Sequence, residues 1–159
     1  MRLIVLSDTH SEILPRPLLE DIKKSDLIIH VGDFCDMDIY KGLKALKDIR
    51  SVYGNMDGLE LRAIMPRKAV FACGKVIIGL VHGEGSPEMV LDRVREAFKG
   101  DRVNAVVFGH SHQPCNEVIN GVLYFNPGSP TDTIRAAYRS YGILEVAGDT
   151  VKGRIVKIK

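Results

Sequence analysis

The chain carries little net charge: 22 Lys and Arg stand against 20 Asp and Glu, a formal balance of +2. So mild an excess gives no electrostatic footprint for nucleic acid or an anionic membrane surface. Paired cysteine is missing as well. Cys35, Cys73 and Cys115 are scattered, odd in number and without C-x-x-C spacing, which argues against a disulfide framework and for a reducing compartment. Long apolar runs are also absent. Only Leu3 to Leu6 separate Arg2 from Ser7 and Asp8, too few for the apolar stretch of a secretory leader, and no segment is long enough to span a membrane. The expectation is a cytoplasmic protein. Linkers, repeats and low-complexity segments are lacking too, so residues 1–159 read as one domain, long enough to bury a core.

What the chain does have is a series of short apolar runs that end in Asp, Asn or His. Leu3 to Leu6 leads to Asp8 and His10, and Leu27 to Val31 leads to Asp33. Ile49 to Tyr53 leads to Asn55, Val76 to Val81 to His82, and Ala105 to Phe108 to His110 and His112. A buried strand has no use for such residues at its carboxyl end. A site built there does, because open α/β sheets place their sites beyond the carboxyl ends of the strands. Seven oxygen and nitrogen donors gathered in one place suffice for two metal ions.

Each motif alone is weak. Asp8 and His10 project the same way in an extended segment, but an isolated D-x-H reads equally as a cap and a solvated histidine. Asp33 after Gly32 reads as a turn, as does the loop Gly54-Asn55-Met56-Asp57-Gly58. His82 alone is more often structural. Gly109-His110-Ser111-His112 is sharper, with two histidines two apart after a strand. Joint occurrence decides: four of the five histidines sit at predicted strand ends, with two aspartates and an asparagine. The fifth, His30, lies inside an apolar run and reads as a hydrogen-bonded packing residue. Asp36, Asp38 and Glu84 read as solvated or supporting groups. Cys115 reads as lining the site without ligating, and Asn126-Pro127-Gly128-Ser129 as a plain turn or a backbone wall beside it.

The order of elements supports an α/β reading. Strands at 2–6, 26–31 and 49–53 alternate with helices at about 15–24 and 39–48, which predicts a parallel sheet with right-handed crossovers. A hairpin follows over 69–81, then a helix opened by Ser86-Pro87 and running to about Phe98. A strand over 103–108, an Asn120-Gly121 hairpin and two final strands at 142–146 and 151–158 complete the chain. The expectation is two packed sheets with helices outside, parallel early and antiparallel late. The hairpins leave edge strands that either pair with a second copy, giving a homodimer, or are covered, and the sequence leaves the two open.

With D-x-H, G-D, G-N, a lone His and G-H-x-H present in that order, the chain resembles the calcineurin-like metallophosphoesterase superfamily. Its short length and its Gly-Asn-Met-Asp and Asn-Pro-Gly-Ser segments look like the small prokaryotic phosphodiesterases within it. The resemblance runs from Asp8 to about Ser129. It implies a four-layer α/β/β/α sandwich of two mixed sheets flanked by helices. It places one metal on Asp8, His10 and His112 and another on Asn55, His82 and His110, with Asp33 bridging. Asp33, Asn55 and His82 would carry catalysis, and Asn55 and Met56 would face substrate phosphate. The cofactors implied are two divalent ions, manganese first, with nickel, iron, cobalt or zinc as alternatives. The implied activity is hydrolysis of a small phosphodiester by a metal-bridging hydroxide. Many relatives have His where this chain has Met56, so the usual proton donor to the leaving group is missing. The alternative is a protein-interaction scaffold on the same fold, similar to the small retromer scaffold subunit. That reading is weaker because all seven ligand positions are filled. A metal-binding regulator without turnover and a nuclease stand further back, the latter for want of a basic surface.

Overall fold

A computed structural model describes residues 1–159. The elements in chain order are β1 (Arg2–Leu6), α1 (Arg16–Lys23), β2 (Leu27–His30), α2 (Met37–Leu46), β3 (Ile49–Ser51), α3 (Leu59–Ile64), β4 (Lys68–Cys73), β5 (Val76–Val81), α4 (Val90–Ala97), β6 (Ala105–Val107), β7 (Cys115–Ile119), β8 (Val122–Asn126), β9 (Ser140–Ala147) and β10 (Thr150–Lys157). The strands form two five-stranded sheets, ordered β10-β9-β1-β2-β3 and β4-β5-β6-β8-β7. No helix is long and apolar enough to cross a membrane.

Strand periodicity explains the layering. Side chains alternate between faces, so Leu3 and Val5 of β1 point into the space between the sheets while Ile4 and Leu6 point outward. Leu3, Val5, Ile29, Ile78, Leu80, Val107 and Phe125 belong to one buried core between the two sheets. On the outer face of the first sheet, Leu18 and Ile22 of α1, Leu43 of α2 and Leu61 of α3 cover Ile4, Leu6, Ile28 and Ile143. On the outer face of the second, Val90, Val94 and Phe98 cover Val106, Phe108 and Tyr124. The result is the expected α/β/β/α sandwich.

Three expectations change. "Parallel early, antiparallel late" holds within the first sheet, but the second has parallel pairs of its own, β5 with β6 and β6 with β8. That difference matters, because it gives both sheets parallel strands with carboxyl ends from which a site can be built. Helix α4 does not open at Ser86-Pro87. Met89 N–H donates to Ser86 O at 2.9 Å, closing a tight turn, and the helical ladder starts with Arg93 N–H to Met89 O at 3.1 Å. Helix α3 had no counterpart in the sequence reading, since its 6 residues are too few to display a 3.6-residue period. By contrast α2 begins one residue after Asp36, whose carboxylate caps it by accepting from Asp38 N–H at 2.8 Å.

Candidate metal centre

The parallel pairing of β1 and β2 continues past the strand ends. Asp8 N–H donates to Gly32 O, His10 N–H to Asp33 O and Ser11 N–H to Phe34 O, at 3.0, 3.1 and 3.0 Å. These bonds hold the two ligand loops side by side. The loop after β3 joins them through Asp57, a buried carboxylate. One of its oxygens accepts from Asp33 N–H (2.9 Å) and Gly54 N–H (2.8 Å), and the other accepts from Cys35 N–H (2.8 Å). The loops of the second sheet are locked by Gly109 N–H to His82 O at 2.9 Å. The Asn126–Ser129 segment, expected as a turn or a backbone wall, acts through its side chains. Asn126 Nδ2 donates to Gly109 O at 3.0 Å, and Ser129 Oγ donates to Asp8 O at 2.8 Å, tying the first sheet to the second.

Two glycines permit the close nesting. A Cβ on Gly109 would lie 1.8 Å from Ser7 Oγ, and one on Gly54 would lie 2.1 Å from Asp33 Oδ1. Strain is concentrated here too. Asp8, His10, Asp33, His110 and His112 all have positive φ, between 46° and 66°, a region that costs a non-glycine residue about 1–2 kcal/mol. Backbone strain of this kind gathers at functional sites.

All seven candidate ligands come together. Asp8 is fully buried, and its two oxygens differ. Oδ2 accepts from Ser7 Oγ (2.5 Å) and from His110 N–H (3.1 Å). Oδ1 has no hydrogen-bond partner, although Nε2 of His112, His82 and His10 lie 3.2, 3.8 and 3.9 Å from it. Asp33 repeats the arrangement: Oδ1 accepts from Met56 N–H at 2.8 Å, and Oδ2 faces His82 Nε2 at 3.3 Å. Asn55 Oδ1 lies 3.1 Å from His82 Nε2 and 2.9 Å from His110 Nδ1. His10 Nε2 and His112 Nε2 are 3.2 Å apart.

The outward nitrogens of these rings fix the tautomers in the neutral state. His82 Nδ1–H donates to Val31 O at 2.7 Å, His110 Nε2–H to Gly85 O at 2.9 Å, and His112 Nδ1–H to Asp132 Oδ2. The inward nitrogens then present lone pairs to carboxylate and amide oxygens. Acceptors facing acceptors repel, and a cation among them removes the conflict. The donors present, carboxylate, amide oxygen and imidazole without thiolate, suit divalent transition ions. Without a metal, protons fill part of that role. Burial opposes a proton on His82, but Asp33, Asp8 and the Val31 carbonyl outweigh it and raise its pKa to about 9. Burial likewise disfavours charge on His112, while Asp8 and Asp132 push its pKa up. Burial would raise the pKa of Asp8. The His112 contact, the charges of His82 and His112 and the Ser7 hydroxyl together hold it below the ordinary carboxylate value. Two groups have metal-ligating spacing, Asp8 with His10 and His112, and Asp8 with Asp33 and His82.

Asp132 escaped the sequence reading. It accepts from Ile134 N–H (2.8 Å) and Arg135 N–H (3.0 Å) as well as from His112. Despite partial burial these donors bring its pKa down to about 2, so it stays ionised. The site's cysteine is also different from the expected one. Cys115 starts β7 and packs with the cluster under α4, its Sγ 3.7 Å from Tyr124 O. Cys35 takes the place beside the site, with Sγ 3.3 Å from His10 Nδ1. Burial and the charges of Asp33, Asp57 and Asp8 push its thiol up to about 12, so it stays protonated and is no nucleophile. His30 is the packing residue expected. It is stacked on Phe34, accepts from Gly32 N–H at 3.2 Å and sits 3.1 Å from Thr9 Oγ1.

Residues 1–149 match the calcineurin-like phosphoesterase superfamily domain. The chain belongs to that superfamily. A probable metallophosphoesterase of Methanocaldococcus jannaschii is 36% identical over 132 residues, 80% of this chain and 67% of that one. A phosphodiesterase of the same organism is 29% identical over 144 residues, 80% of this chain and 83% of its own length. Among solved structures, vacuolar protein sorting 29 from Cryptosporidium parvum superposes with a TM-score of 0.84 at 21% identity, covering 99% of this chain and 91% of that one. At that identity the likeness shows the fold alone. As a calcineurin-like phosphoesterase the protein is a hydrolase of phosphoesters with a metal-binding site.

Proposed function

We propose that this protein is a binuclear metal-dependent phosphodiesterase acting on a small phosphoester. The observation that carries the reading is the buried, partnerless Asp8 Oδ1, surrounded by imidazole nitrogens whose other faces are already engaged. Asp8, His10 and His112 would hold one ion, Asn55, His82 and His110 the other, and Asp33 would lie between them. Divalent ions bound there would supply Lewis acidity, lowering the pKa of a coordinated water and neutralising phosphoryl oxygens.

The chain's own groups do the rest. Asp8 and Asp33 each keep one oxygen tied to backbone or hydroxyl donors, so the other is held in a fixed direction. Asn55 turns its Oδ1 toward His82 and His110, which leaves its exposed amide N–H groups to donate to a phosphoryl oxygen as charge develops there. Met56 has an exposed side chain at the rim, 60% accessible, and cannot give a proton to a departing alcohol. Diesters with acidic leaving groups therefore suit the site best, in keeping with the similarity to a phosphodiesterase.

The test is hydrolysis of a chromogenic phosphodiester and its monoester by metal-stripped protein, with Mn²⁺, Ni²⁺, Zn²⁺ or Mg²⁺ restored singly. Diester turnover with Mn²⁺, lost in His110→Ala, is the expected result. Folded, metal-binding protein that turns over neither ester with any ion would favour the second reading, a non-catalytic scaffold, for which the likeness in fold to vacuolar protein sorting 29 speaks.

A further inference from the structure

A cavity of about 410 Å³ opens beside the candidate metal centre and shares Asn55 and His82 with it. That volume lies in the range of small-ligand sites and is sufficient for one nucleotide-sized group. Tyr53, Val81, Val94 and Ala97 form its apolar surfaces, and Arg62, Arg67, Lys68 and Arg93 supply the cations.

Charge does not balance there. Glu84 Oε2 accepts from Arg67 at 2.8 Å, and Glu84 Oε1 lies 3.6 Å from Arg93. Lys68 pairs with Asp101 at 2.5 Å and also donates to Ala97 O. Arg62 has no carboxylate at all. It donates to Asp57 O and Asn55 O, at 2.8 and 2.9 Å, and stands over the Tyr53 ring. Four cations thus face two carboxylates, and two positive charges are left over. In a chain whose overall excess is also +2, that surplus is local rather than a sample of the general surface. It matches a phosphate monoester, which carries about −1.5 to −2 at neutral pH, and guanidinium forks fit phosphate oxygens two at a time.

Resting on the phosphodiesterase reading above, we propose that the substrate is a phosphodiester with one nucleotide-sized arm that bears a second, terminal phosphate. The arm lies against Tyr53, Val81 and Val94, and its terminal phosphate is received by Arg62, Arg67 and Arg93. Asn55, held by Arg62 through its carbonyl, then faces the scissile phosphate while the arm fills the cavity. Glu84 acts as an internal counter-ion that the incoming phosphate displaces from Arg67 and Arg93.

Two chromogenic substrates separate this from general diester hydrolysis: thymidine 5′-(4-nitrophenyl phosphate) and the same compound with a 3′-phosphate. They share the scissile bond and leaving group and differ only in the terminal phosphate. Wild-type protein with Mn²⁺ is expected to show kcat/KM about tenfold or more higher for the 3′-phosphorylated compound, the scale of a charged hydrogen-bond set. In Arg67→Gln/Arg93→Gln that ratio is expected to fall toward one. Equal kcat/KM for the two compounds in wild type would overturn the proposal, as would a ratio that survives the double substitution. If neither compound is cleaved, the plain chromogenic diester tests the phosphodiesterase reading separately, and calorimetry on metal-free protein decides the cavity. Thymidine 3′,5′-bisphosphate binding about tenfold tighter than thymidine 5′-monophosphate supports the receiving site. Equal affinity rejects it.

Discussion

The two halves of the candidate metal centre each have two histidines but differ in the third donor, the carboxylate of Asp8 against the amide of Asn55, and in how the donors are supported. In the Asp8, His10, His112 half, Asp8 and His112 are buried, and His112 is backed by an ionised carboxylate, Asp132. In the half nearest the cavity, Asn55 is exposed, and His110 is backed only by the neutral carbonyl of Gly85. A carboxylate behind an imidazole raises its basicity and fixes its ring, whereas a carbonyl does the second with little of the first. On the proposed binuclear reading, the half with Asp8 and His112 would retain its ion and the half with exposed Asn55 would meet substrate, although His82 in the latter is itself buried. Asp57 and Asp33 join the two.

The largest effect expected is on the junction itself. Asp57→Ala would strand three backbone N–H groups, those of Asp33, Cys35 and Gly54. At about 1–3 kcal/mol for each buried donor left unpaired, a loss of 3 kcal/mol or more should appear in urea unfolding. Asp57→Asn, with one acceptor oxygen, should fall between. Unchanged stability in Asp57→Ala would mean the halves are not tied through this carboxylate.

Next is the contrast in support. Asp132→Ala should weaken one of two metal-binding events by roughly ten- to a hundredfold, the usual cost of removing the group behind a ligand, and leave the other nearly unchanged. Calorimetric titration with Mn²⁺ reads both. Equal weakening of the two would erase the distinction between halves.

Protonation gives a third handle. In metal-free protein His82 keeps its proton up to about pH 9. That raised value adds stability which is complete below the unfolded histidine value near 6.5 and is lost as pH rises through 9. A metal needs the same nitrogen without its proton. Below pH 9, metal loading should therefore release protons, and apparent affinity should rise about tenfold per pH unit for each proton displaced. Calorimetry in buffers of different ionisation enthalpy counts them. No proton release at pH 7 would show that His82 does not ligate.

The smallest effect expected is at the rim of the open half. Met56→His places a proton donor where none stands, and should raise turnover several-fold on esters with poor leaving groups while changing acidic ones little. A leaving-group series that keeps its slope would remove position 56 from the chemistry.

The gathering of the candidate ligands was legible because they follow strands, and a strand of four to six apolar residues is visible in sequence. Asp8, Asp33, His82, His110 and His112 announced themselves by that punctuation. The supporting groups did not, because their partners are far away along the chain. His112 and Asp132 are 20 residues apart, and His10 and Cys35 are 25 apart, with no periodicity to link them. Asp132 did leave one trace: a Thr-Asp pair after a turn, of the kind that accepts from backbone N–H groups two and three residues on. Cys115 was misplaced for a related reason. Proximity in sequence to His112 suggested proximity in space, but β7 carries it under α4 instead. The cationic cavity left no trace, since α3, β4 and α4 bring its arginines together only after folding.

The left-handed conformation of five ligand positions has a consequence for anyone who engineers this chain. Glycine is the residue such backbone angles favour, and His10, at φ 46° with its side chain 28% accessible, is one of the less buried of the five. At His10 glycine would relieve the angle but free the unfolded chain, effects of opposite sign on stability, and it would discard a candidate ligand in the same step. A variant that relaxes this loop must therefore be screened for metal content as well as melting temperature before either change is counted as a gain.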